Sequence, residues 1–291
     1  MYGQPPSQFI DIDGTQLHVR DEGSGPVLVL LHGSRASLHQ WDGWVAALKS
    51  RYRIIRVDSL AHGLTGHDPS GSYSQARSTE LLKGLLDKLG VDRFYLGGTS
   101  SGATEAVRFA AAYPERVEKM VLSTVPLKLP PTTETPSLRR FIFWFHANIL
   151  GDTSTDLFWR SFLENIYGDP SKVTDDLVTR YRILNSLPDQ RALQQLRIQN
   201  WYRDGGAEKD FETAAKVTSP TLVQWGVAGP VLPEDIQCEI TAAFKNAQVR
   251  VISYPSLGHK LVMEDPVTTA RDADRFLSGE DVGGACETPS R

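Results

Sequence analysis

The stretch Leu96-Gly97-Gly98-Thr99-Ser100-Ser101-Gly102-Ala103 constrains this chain more than any other, because it sets one serine between two glycines where an apolar run meets a helical pattern. Phe94 to Leu96 reads as the end of a strand, and Ala103, Ala106, Val107, Ala110 and Ala111 recur at helical spacing up to Tyr113-Pro114. A chain that passes from strand to helix over so few residues must turn very tightly. Gly98 and Gly102 supply the room, since side chains there would collide with neighbouring backbone. Ser100 then projects from the turn as in a nucleophile elbow, and the free N–H groups of the following helix point toward its reaction centre. The G-x-S-x-G spacing alone also fits a glycine-rich packing loop, so the rest of the chain has to decide.

Around this turn, short aliphatic runs alternate with helical patterns. Gln8 to Ile12 and Gln16 to Arg20 alternate apolar and polar residues about Asp13-Gly14, which predicts an antiparallel hairpin at a sheet edge. Val27 to Leu31 is continuously aliphatic, as a strand buried on both faces requires, and ends in His32-Gly33-Ser34-Arg35. A helix is expected from Trp41 to Leu48 and a strand from Ile54 to Val57, running into Asp58-Ser59-Leu60-Ala61-His62-Gly63. Ser74 to Leu89 has the period of a long amphipathic helix. Met120 to Ser123, Leu222 to Trp225 and Val249 to Ile252 are further short strands. The alternation predicts an α/β fold, a mostly parallel sheet with helices on both faces, which binds ligands at the carboxyl ends of its strands.

Between Pro126 and Glu212 the pattern changes. Prolines and threonines give way to aromatic helices holding Phe141, Phe143, Trp144, Phe145, Phe158, Trp159 and Phe162. This predicts a helical cap at 126–212 inserted into a core of 1–125 and 213–278, with some aromatics forming the cap's own core and the remainder lining an apolar substrate pocket. Residues 279–291, rich in Gly, Glu and Ser and without periodicity, are expected to be a disordered tail.

Composition excludes several functions. A formal net charge of −4, with no cluster of Lys and Arg interleaved with aromatics, offers no stripe for nucleic acid. Met1-Tyr2-Gly3-Gln4-Pro5-Pro6 has neither the basic start nor the apolar run of a secretory signal, and no stretch is apolar enough to span a bilayer. A cytoplasmic protein without a membrane partner is expected. Cys238 falls in a predicted helix and Cys286 in the tail, which suggests neither a disulfide framework nor metal spacing, and so a reducing compartment.

Taken together, these segments resemble the α/β-hydrolase family over nearly the whole span from Phe9 to Leu277. The resemblance rests on Phe9-Ile10-Asp11-Ile12-Asp13-Gly14, Leu30-Leu31-His32-Gly33, the Asp58 to Gly63 loop, the elbow, Ala112-Tyr113-Pro114-Glu115-Arg116-Val117, and Gly258-His259 with Glu264-Asp265-Pro266, all in the family's order. It implies an eight-stranded sheet, a cap inserted after the sixth strand, Ser100 as nucleophile and His259 as base. It also implies an oxyanion hole built from the backbone N–H groups of Ser34 and Ser101, and neither a metal nor an organic cofactor. The chemistry suits these types: a serine hydroxyl attacks only as a base removes its proton, and an imidazole can take that proton and return it to the leaving group. His259 follows the last predicted strand, at the same sheet edge as Ser100, whereas His32 and His62 shape loops there. Arg35 is expected to point to solvent, although a carboxylate-bearing substrate could use it.

One departure is serious. The family carries its catalytic acid after the seventh strand in a W-G-x-x-D pattern, and here the run is Trp225-Gly226-Val227-Ala228-Gly229-Pro230, with Gly229 where the aspartate should stand. Ser123-Thr124-Val125, at the alternative position after the sixth strand, offers no carboxylate, and Glu234 and Asp235 read as the cap of the next helix. Loss of a triad aspartate costs about four orders of magnitude in turnover, roughly 5 to 6 kcal/mol. A Ser100–His259 dyad would therefore be slow but not dead. The first functional expectation is a serine hydrolase that cleaves a small or medium apolar ester or lactone through an acyl-enzyme at Ser100. The alternatives are an acid-less relative that binds a small molecule without turnover, and a lyase or cofactor-free oxygenase using His259 as base. Nothing in the sequence speaks to the oligomeric state.

Overall fold

The computed structural model describes residues 2–128, 137–146, 155–229 and 231–286. Eight strands form one sheet: β1 (Ser7–Ile12), β2 (Thr15–Gly23), β3 (Val27–Leu31), β4 (Arg53–Val57), β5 (Phe94–Thr99), β6 (Val117–Ser123), β7 (Thr221–Gly226) and β8 (Val249–Tyr254). Their spatial order is β1-β2-β4-β3-β5-β6-β7-β8. Only β1 with β2 and β2 with β4 are antiparallel, and from β4 to β8 every pairing is parallel. The aliphatic run of β3 is central, and Leu28 to Leu31 are wholly buried, as a strand covered on both faces must be. The predicted helix at 41–48 opens with a tight 3-10 turn at Leu38–Trp41 before α1 (Asp42–Leu48). α2 (Gln75–Lys88) starts where the Ser74 hydroxyl accepts from the Arg77 N–H at 3.1 Å, and α3 (Ser101–Ala112) follows the elbow directly.

Among the described residues between β6 and β7 lie five α-helices: α4 (Ser137–Phe145), α5 (Asp156–Ile166), α6 (Asp175–Asn185), α7 (Gln190–Arg203) and α8 (Gly206–Ala214). Phe158, Trp159, Leu163, Val178 and Tyr181 form a core of their own, which also takes in Ala36 from the loop after β3. The sequence reading places the remaining aromatics around a substrate pocket. Phe141 and Trp144, three residues apart on one face of α4, are 57% and 53% exposed, and their rings stack on each other. The proline- and threonine-rich opening at 129–136 lies outside the described residues.

The cysteine reading is overturned. Cys238, on α9 (Gln237–Ala242), and Cys286 form a disulfide with Cα atoms 5.3 Å apart, closing a separation of 48 residues. Such a loop closure is worth about 4 kcal/mol in the chain-entropy picture, and disulfides persist in oxidising surroundings, so the cysteines give no ground for a reducing compartment. The tail expectation is corrected with it. Gly284 exchanges backbone hydrogen bonds of 2.9 and 3.0 Å with Val251 on β8, and Val282 is only 4% exposed. β8 is an edge strand, and an open edge offers unpaired backbone groups to any segment that reaches it. Spacing in the sequence does not show that return. Residues 287–291 lie outside the described residues. Two further helices, α10 (Leu261–Glu264) and α11 (Pro266–Leu277), complete the order, and among the described residues no helix is long and apolar enough to cross a membrane.

Candidate active site

The elbow is held by steric exclusion. A Cβ at Gly98 would overlap the Gly102 carbonyl and the backbone of Ala103, and one at Gly102 would overlap the carbonyls of Leu31 and His32. Only glycine lets α3 pack so closely on the ends of β3 and β5. Ser100 takes φ 54° and ψ −128°, a region that costs a non-glycine residue about 1–3 kcal/mol. Its N–H continues the sheet ladder by donating to the Ser123 carbonyl at 3.0 Å, so neighbouring strands maintain the strained turn.

The structure brings Ser100 and His259 together, with Oγ 2.9 Å from Nε2. His259 sits on the loop after β8. Its N–H donates to the Ile166 carbonyl at the end of α5 (2.9 Å), and its carbonyl accepts from the Thr124 hydroxyl (3.1 Å). Thr124 stands just after β6, where a carboxylate would be the alternative acid, and it fixes backbone in place of the imidazole. For Nε2 to accept from Ser100 the ring proton must sit on Nδ1, and that buried Nδ1 has no hydrogen-bond partner among the described residues. Gly229 explains why. It has φ +133°, and a Cβ built there would meet only the Gly258 Cα, at 3.7 Å. Glu234 and Asp235 are exposed in the short 3-10 turn before α9 and make no bond to the imidazole. Burial first, and then the neighbouring Lys260 cation, push the His259 pKa down to about 3, and among the described residues no carboxylate opposes them.

The loop after β3 faces the elbow. The hydroxyl of Ser34 donates to that of Ser101 at 2.9 Å, and Ser101 opens α3, where first-turn amides have no partner within the helix. His32 is consumed in holding this loop: Nε2 accepts from the Ser59 N–H (3.0 Å), and Nδ1 donates to the Gly33 carbonyl (2.8 Å). His62 bonds the Leu60 carbonyl at 2.9 Å. The expectation that Arg35 points to solvent fails, because its guanidinium lies 5.3 Å above the Phe162 ring and is partly buried. Sequence reasoning passed over Lys260. The only visible signal was a lysine directly before the apolar Leu261-Val262-Met263, and it is 2% exposed.

A family model described as the alpha/beta hydrolase fold matches residues 26–266, which covers most of the chain and all the strands from β3 onward. The chain belongs to the α/β-hydrolase fold family. It is similar to a 2-hydroxy-6-oxononadienedioate/2-hydroxy-6-oxononatrienedioate hydrolase of Paraburkholderia xenovorans, at 31% identity over 85% of this chain and 87% of that protein. An uncharacterised protein of Mycobacterium bovis is 33% identical over 94% of this chain and 81% of its own length. Among solved structures, a meta-cleavage product hydrolase of Pseudomonas fluorescens in complex with acetates superposes with a TM-score of 0.77 at 22% identity, covering 93% of this chain and 97% of that one. At that identity the likeness speaks for the fold.

Proposed function

We propose that this protein is a serine hydrolase that attacks an activated carbonyl through Ser100. The observation that carries the reading is the 2.9 Å contact between Ser100 Oγ and His259 Nε2 at a strained elbow. In this reading Ser100 Oγ adds to the carbonyl carbon as its proton passes to Nε2, and the N–H groups of Ser34 and Ser101 hold the oxyanion. The leaving group departs with the proton from Nε2, and water then releases the acyl group from Ser100 by the same steps in reverse order. The α4–α8 insertion acts as a cap over the site, supported by the Ile166 carbonyl's bond to His259.

The substrate is a small or medium-sized molecule: an ester or lactone, or an unsaturated hydroxy-oxo acid of the kind named for the Paraburkholderia xenovorans relative. Steady-state assays with a p-nitrophenyl ester, a lactone and such an oxo acid test this. Turnover of at least one by the native chain, abolished in Ser100→Ala, is the expected result. Absence of Ser100-dependent turnover of all three would overturn it. Binding without turnover is a second reading, favoured by one observation, the buried His259 Nδ1 left without an acceptor.

The lowered pKa sets a pH dependence. A base must be unprotonated to work, and His259, pushed down to about 3, stays neutral where an ordinary histidine is half protonated. With a neutral ester, kcat/KM is therefore expected to show no acid limb near pH 6.5. Stability is lost first. A histidine held below its ordinary pKa contributes stability that is present above about pH 6.5 and lost as pH falls toward its folded value. His32 and His62, both lowered chiefly by burial, add in the same direction. Activity and circular dichroism should fail together on acidification; an activity limb near 6.5 in protein that is still folded would contradict the assignment.

A further inference from the structure

The residue after His259 is a lysine almost wholly removed from solvent. Lys260 is 2% exposed, and its Nζ lies 3.5 Å from the point where a Cβ on Gly33 would stand. The same point is 3.0 Å from the Ser100 Cβ and 3.2 Å from the Thr99 carbonyl. The ammonium is thus lodged between the loop after β3 and the elbow, beside the nucleophile. Among the described residues no carboxylate comes within ion-pair distance of it: Glu264, the nearest acid in sequence, accepts instead from the N–H groups of Gly168 (2.8 Å) and Gly258 (3.0 Å). A buried charge is normally matched, because an unmatched one costs several kcal/mol. Here, among the described residues, the fold leaves the positive charge without a carboxylate partner close to the elbow.

We infer that Lys260 is a specificity-determining residue whose ammonium binds an anionic oxygen of the ligand, a carboxylate or enolate next to the carbonyl that Ser100 attacks. The inference rests on the hydrolase reading for the place of that carbonyl, but the binding site itself does not. The ligand class is a small organic acid, whose anion would meet the Lys260 ammonium near Ser100. The arrangement also complements the missing acid. A cation at this position opposes charge on His259 and favours negative charge on the ligand, so selectivity goes to substrates that arrive with their own anion.

Titration calorimetry on the full chain tests this with sorbate, a planar unsaturated carboxylate, and with its uncharged amide. Ser100→Ala serves as a parallel host in which no turnover intervenes. Sorbate is expected to bind native protein and Ser100→Ala about tenfold or more tightly than the amide. Lys260→Met and Lys260→Gln should lose that preference while keeping the amide affinity, a pattern that a merely structural role would not give. Equal affinities for acid and amide in the native chain would overturn the inference. So would sorbate affinity undiminished in whichever Lys260 variant folds, judged by its melting curve. Labelling of Ser100 by a fluorophosphonate in the native chain separates this from the hydrolase reading: labelling without a preference for sorbate overturns the anion site alone, and a Lys260-dependent preference without labelling overturns the hydrolase alone.

Discussion

Gly229→Asp is expected to raise turnover at Ser100 on the order of 10²-fold and to lower the melting temperature at the same time. The gain comes from supplying the acceptor that the buried His259 Nδ1 lacks, at a place where an added Cβ meets only the Gly258 Cα at 3.7 Å. A triad aspartate is worth about 10⁴-fold in a site built around it; this one must be discounted, because Gly229 has φ +133°, where an L-residue is strained. That strain costs about 1–3 kcal/mol, and at about 2–4 °C per kcal/mol it is visible in a melting curve. Opposite signs for activity and stability distinguish a restored acid from general stabilisation. The measurements are kcat on a p-nitrophenyl ester and scanning calorimetry. A folded variant with unchanged kcat would mean that proton transfer to His259 does not limit the rate.

The second large effect is the loss on His259→Ala, and its size is diagnostic. In a complete triad, removing the histidine costs about 2 × 10⁶ and removing the aspartate alone about 3 × 10⁴, so a dyad already without its acid has roughly 10²-fold left to lose. His259→Ala is therefore expected to lower kcat by on the order of 10² in the native background and by considerably more in Gly229→Asp. Equal losses in both backgrounds would contradict the coupling. The same cycle with Ser100→Ala should follow the same pattern, since nucleophile and base act as a unit.

The parts legible in the sequence were those governed by local rules. The aliphatic run of β3 and the two elbow glycines each had one physical solution, and Val27–Leu31 and Gly98 and Gly102 took it. Ser100 and His259 were legible because their chemistry and their loops are specific, although only three-dimensional closure sets them 2.9 Å apart. The Cys238–Cys286 pairing was not legible, because it depends on residues 282–286 folding back along β8 across 48 positions. The burial of Lys260 was hidden for a related reason. A lysine beside a loop histidine reads as solvated, and only the packing of the Gly33 loop against the elbow encloses it.

Intact-mass analysis after exposure to a fluorophosphonate, with Ser100→Ala and His259→Ala alongside, tests most directly whether Ser100 is an activated nucleophile. A stoichiometric adduct on the native chain, absent from Ser100→Ala and strongly slowed in His259→Ala, is the result predicted for a Ser100 nucleophile activated by an acid-less imidazole. No adduct on the native chain over hours, or one that persists in Ser100→Ala, would contradict it.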